Sequence, residues 1–119
     1  MKRKASLYIK DIIDSITKIE EFVGNMNFKD FTTDDKTSSA VIRKLEIIGE
    51  ATKQLPESIR NRFKEIPWPA MAKTRDKIIH FYHGVDYEII WEIIKKDLPL
   101  LKSKLAKIYD LLLKEEHSK

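Results

Sequence analysis

The chain contains no cysteine, which excludes disulfide scaffolds, thiol nucleophiles and zinc sites built on thiolates. Glycine and proline are scarce, three and four residues among 119. That is too few for a turn-rich β-sandwich or a glycine-cradled nucleotide site. No uncharged apolar run approaches the ~20 residues that cross a bilayer as a helix. Met1-Lys2-Arg3-Lys4 is similar to the basic start of a secretion signal, but Lys10, Asp11 and Asp14 interrupt the apolar stretch that would have to follow. The expectation is a soluble cytoplasmic protein with no membrane partner. Charge of one sign is also limited: 23 basic against 19 acidic side chains leave a net +4, which permits a polyanionic partner without identifying one.

What is present reads as helix. Hydrophobic residues make up 42% and charged residues 35%, more apolar material than a disordered chain carries. Ile9, Ile12, Ile13, Ile16, Ile19, Phe22 and Val23 recur at steps of three and four, the stripe of an amphipathic helix. Gly24-Asn25 marks its end. A polar connector follows from Asn27 to Ser38, with Phe28 and Phe31 expected to be pinned to the body. Within it, Thr32-Thr33-Asp34-Asp35 offers N-cap oxygens for a second helix carrying Val41, Ile42, Leu45, Ile48, Ala51 and Leu55, which stops at Pro56. A short helical turn runs from Pro56 to Phe63. Ile66-Pro67-Trp68-Pro69 cannot be continuous helix, because each proline lacks an amide donor and restricts the residue before it.

The spacing then predicts a helix from about Pro69 to Tyr82, broken at Gly84. A last long segment is capped by Asp86, carries Ile89, Ile90, Ile93 and Ile94 inside, and is kinked or restarted at Pro99, after which Leu101, Leu105, Ile108 and Leu112 resume the same stripe. Its lysine-rich tail after Leu113 is expected to fray. Abundant isoleucine favours strands, but the three-to-four periodicity outweighs that propensity. No internal repeat, low-complexity tract or linker divides the chain. The expectation is a single all-α domain over residues 1–119, an antiparallel bundle of four to five helices.

Chemistry concentrates in Arg75-Asp76-Lys77-Ile78-Ile79-His80-Phe81-Tyr82-His83. On a continuous helix Asp76 and His80 stand one turn apart, so the carboxylate would bond an imidazole nitrogen and fix its tautomer. Arg75 and Tyr82 would share a face. Arg75 and His80 would flank a groove that a second subunit could close. These groups suit cleavage of RNA, where the ribose 2′-OH is an internal nucleophile. An imidazole can take its proton near neutral pH, and a guanidinium offers paired donors to phosphate oxygens.

Arg75 to Tyr82 also matches the R-x-x-x-x-H-x-Y motif, and here the sequence resembles the HepT-like toxins of the HEPN superfamily. The blocks Tyr8–Ile12, Leu45–Ala51, Ile66-Pro67-Trp68, Gly84-Val85-Asp86-Tyr87, Ile90-Trp91 and Leu98-Pro99 extend the resemblance over nearly the whole chain. It implies a helical homodimer with the cleft between subunits, and a metal-independent endoribonuclease needing no cofactor. It further implies a toxin of a type VII-like toxin–antitoxin pair acting on RNA, with transfer RNA a target class. By motif position Arg75 and His80 are the catalytic pair, supported by Asp76, Tyr82 and His83. Tyr82 matches the tyrosine that a cognate minimal nucleotidyltransferase antitoxin adenylylates. Many relatives have Asn where Asp76 stands, and a glycine where Lys73-Thr74 precedes the arginine.

Plainer readings stand beside these. Arg75 and Asp76 make an ordinary surface ion pair, His80 a structural histidine, and Tyr82 a ring that is buried with its hydroxyl exposed. His80 and His83 form an H-x-x-H pair, but no further ligand is spaced to complete a metal site; His83 is otherwise a helper in the cleft. Trp68 and Trp91 read as core or interface anchors. Glu50 is either a partner of Arg75 or of a backbone group across the bundle, or solvated. Lys53, Arg60, Arg62, Lys64, Lys73 and Lys77 form a solvated basic face that can steer RNA. Two other function classes remain open from sequence: a non-catalytic helical dimer that binds a nucleotidyltransferase or nucleic acid, and a metal-dependent hydrolase, the latter disfavoured by the missing carboxylate cluster.

Overall fold

A computed structural model describes residues 3–80 and 84–118. The three apolar stripes form its long helices: α1 (Ala5–Val23), α3 (Asp35–Gln54) and α8 (Leu98–His117). Their inward faces are the stripes read from spacing. Ile9, Ile12, Ile16 and Ile19 of α1, Val41, Leu45 and Ile48 of α3, and Leu101, Leu105, Ile108 and Leu112 of α8 share one core. α1 ends at Gly24, whose φ of 50° is the left-handed turn that glycine adopts without a Cβ clash. α1 and α8 run antiparallel: Glu116 accepts from the Ser6 backbone N–H at 3.3 Å and from its hydroxyl, while Lys102 reaches Glu20 at 2.7 Å. Trp68 is buried, and its indole N–H donates to the Phe63 carbonyl at 2.9 Å. Among the described residues no helix is long and apolar enough to cross a membrane.

The all-α bundle stands, with four local departures from the reading above. The connector is partly helical. Asn27 and Asp30 bond reciprocally as a capping box for α2 (Phe28–Thr33), which buries Phe31 against Trp91 at 5.4 Å between ring centres and leaves Phe28 at the margin, 6.0 Å from the same indole. Asp34 then caps α3.

The second departure matters most for function. The single helix expected from Pro69 to Tyr82 does not form. After α4 (Glu57–Arg62) come α5 (Trp68–Ala72), a break at Lys73 (φ −104°, ψ 12°) and α6 (Thr74–Ile78). The chain then extends into β1 (Ile79–His80), antiparallel to β2 (Gly84–Val85), with Ile79 opposite Val85 and His80 opposite Gly84. Packing explains the switch. Ile78 is fully buried at the end of α6, and Ile79 and its hairpin partner Val85 lie against the core, so the alternation of the extended backbone turns the next side chain, His80, outward. Gly84 has φ 74°, open to glycine and strained for other residues.

Third, α7 (Tyr87–Glu92) passes into α8 through one π-helical turn, Ile93–Asp97, in which the Leu98 N–H donates to the Ile93 carbonyl. Pro99 has no N–H for Lys95 and its ring crowds that carbonyl, and a wider turn relieves the conflict without breaking the rod. Fourth, the tail is not frayed: α8 continues to His117, with Glu115 paired to Arg62 and Glu116 to Ser6.

Candidate functional site

Arg75 sits in α6, carried against α3 by the close approach of α5. A Cβ on Gly49 would lie 3.4 Å from the Met71 carbonyl oxygen and 3.6 Å from that of Ala72, so the small residue allows these helices to touch. The Arg75 side chain is 66% exposed, and its Nε lies 3.1 Å from Glu46 Oε2. Arg75, Asp76, Arg43, Glu46, Glu50 and Lys53 line a polar hollow of about 420 Å³. Glu50 meets Lys53 at 3.5 Å; the partner of Arg75 is the glutamate one turn earlier.

His80 projects from β1 with its side chain 43% exposed, and its Nε2 lies 3.5 Å from Asp86 Oδ2. Asp86 also accepts from the Ile89 N–H at 3.1 Å through Oδ1, which begins α7 as the sequence predicts. The expected Asp76–His80 pair is replaced. With β1 extended, the one-turn register is lost, and Asp76 lines the Arg75 hollow while Asp86 meets the imidazole. His80 lines a second hollow, of about 350 Å³, with Phe28, Thr32, Val85, Asp86, Tyr87 and Glu88. Within one chain, then, Arg75 and His80 are both open to solvent and line separate depressions. Tyr82 and His83 lie outside the described residues.

Sequence reasoning missed Glu46 and the second role of Asp86. Glu46 shares a helix face with Glu50, so its position was legible, but the turn of α3 that meets the arginine is set by packing. Asp86 was visible only as a cap. Chemically, an exposed guanidinium offers paired donors to a phosphate, and an imidazole beside a carboxylate can accept a proton. An apolar depression bounded by Leu45, Met71, Leu98, Leu100 and Leu101 holds neither group.

Comparison with known proteins accords with this chemistry. The family described as Ribonuclease HepT-like matches residues 12–108. A protein of Thermococcus cleftensis named "Probable ribonuclease HepT" is 49% identical over 91% of this chain and 98% of its own length. Two proteins of Methanocaldococcus jannaschii provisionally named as RNases are similar: one is 45% identical over 82% of this chain and 81% of its own length. The other is 39% identical over 98% of both chains. No solved structure gives a significant match.

Proposed function

The chain belongs to the HepT-like ribonuclease family of the HEPN type, and on that premise we propose that it cuts RNA without a metal ion, using Arg75 and His80 at a crevice completed by a second copy. The observation that carries the reading is the exposure of both groups, each beside its own carboxylate, where helix gives way to hairpin. His80 takes the proton of a ribose 2′-OH. The freed oxygen attacks the adjacent phosphorus, the bond to the 5′ oxygen breaks, and a 2′,3′-cyclic phosphate remains. Arg75 leaves Glu46 to hold two non-bridging oxygens as charge builds on them. His83 is the candidate donor of the proton that the leaving 5′ oxygen requires.

The same geometry supports a pairing of subunits. One chain offers the two groups in separate depressions, so a facing copy can bring Arg75 of one near His80 of the other. The RNA is transfer RNA, and the protein is the toxin of a type VII-like pair. Its cognate nucleotidyltransferase antitoxin silences it by adenylylating Tyr82, placing bulk and negative charge where substrate phosphate must lie.

The test is incubation of purified chain with transfer RNA in EDTA and mapping of product ends. Cyclic phosphate ends are expected, with the rate reduced about 100-fold or more in His80→Ala and in Arg75→Ala while both variants stay folded. A 3′-hydroxyl end would contradict internal attack, and binding without cleavage in freshly made, unmodified protein would favour a non-catalytic dimer.

A further inference from the structure

Asp86 is held through its backbone and through its side chain. Its backbone N–H donates to the Ile78 carbonyl at 2.7 Å, closing the base of the hairpin. Its Oδ1 accepts from the Ile89 N–H at 3.1 Å, leaving Oδ2 directed to His80 Nε2 at 3.5 Å. The opposed register of His80 and Gly84 puts the imidazole two residues in space from this anchored carboxylate. Among the described residues, the remaining charged side chain lining the same hollow is Glu88.

From this geometry we infer that Asp86 is a positioning residue for His80; the inference rests on the reading of His80 as the base and extends it. A carboxylate can only accept. Held by backbone at one oxygen, it keeps the ring proton on Nε2 and leaves Nδ1 as the free acceptor for a ribose proton. The pair needs only a small side-chain rotation to shorten into a hydrogen bond, as catalytic contacts commonly do when substrate arrives. Asp86 therefore joins two tasks: one oxygen starts α7, the other orients the imidazole.

Asp86→Asn separates the tasks. Asparagine caps a helix as well as aspartate does, but it is both donor and acceptor and carries no charge. A role confined to capping predicts an unaltered enzyme. The positioning role predicts a thermal midpoint within about 2 °C of wild type. It also predicts a neutral His80 ring whose Nδ1–H tautomer, absent in the wild type, rises to a measurable share in 15N–1H correlation spectra. On a transfer RNA pool, kcat is expected to fall about tenfold or more with KM held within about twofold. Should Asp86→Asn lose its fold, Asp86→Ser, also a cap without charge, is read in the same way.

An unchanged tautomer overturns the inference whatever the activity, and a changed tautomer with unchanged kcat removes Asp86 from the reaction. His80→Ala, run alongside, separates the two readings. Full activity there removes His80 itself. Loss there, with tautomer and kcat intact in Asp86→Asn, overturns the assignment of Asp86 alone.

Discussion

Gly84 turns the chain back through φ 74°, and no atom of the described residues lies within 4 Å of where its Cβ would project. Gly84→Ala therefore acts through backbone strain of about 1 kcal/mol, and is expected to lower the thermal midpoint by about 4 °C in a domain of this size. A larger loss in cleavage than in stability would show that the hairpin carries the site. Arg75→Lys tests a different property of a single residue: the charge stays, but the paired donors go. Cleavage of transfer RNA is expected to fall about tenfold or more, with folding unchanged because the native side chain is 66% exposed. At this scale the sequence named the two groups proposed to react, since an arginine and a histidine bring their own chemistry wherever they stand. It could not name their partners. Glu46 and Asp86 are joined to them by packing and by an extended backbone, neither of which a helical register contains.

Element boundaries were legible wherever a single residue dictates them. Asp34 is a case with a measurable consequence. The Thr37 backbone N–H and hydroxyl both donate to its carboxylate, which holds the carboxyl below the ordinary aspartate value of 3.8. A carboxyl lowered by folding stabilises the native state above its unfolded value and gives that stability up as pH falls through the lower, folded one. Thermal melts between about pH 6 and pH 2.5 are expected to show a shallower acid decline in Asp34→Asn, which keeps the cap without titrating. An identical slope would remove this group from the acid response. Illegible elements were those where two satisfactory structures compete. Ile78 and Ile79 suit either a helix stripe or a strand, and only the core against which they pack decides. Pro99 announced a disturbance of the last helix, yet its resolution as a π turn depends on keeping both flanking stripes buried.

Across the whole molecule, the ends of α1 and α8 are tied together. Removing the acceptor in Glu116→Ala leaves the Ser6 amide and hydroxyl without their partner, a loss of about 1 kcal/mol by analogy with an N-cap. Denaturant melts should register it, and faster amide exchange is expected at the start of α1 and the end of α8 together rather than in one alone. Assembly is tested by mixing. If Arg75 of one copy acts with His80 of its twin, then Arg75→Ala and His80→Ala chains, each inactive, regain about a quarter of wild-type activity when exchanged at equal amounts, since half the dimers carry one intact site. No recovery despite proven exchange would place both groups of a site on one chain.

The continuous rod from Tyr87 to His117, at ~1.5 Å per residue, nearly spans the 50 Å long axis of the molecule. Because Ser6 is clasped to its far end, both described ends of the chain gather at the pole opposite the hairpin. A passenger fused at either end, or a surface to which the protein is tethered there, would hang some 40 Å from His80 by the same ~1.5 Å per residue, leaving the approach of a bulky polynucleotide unobstructed.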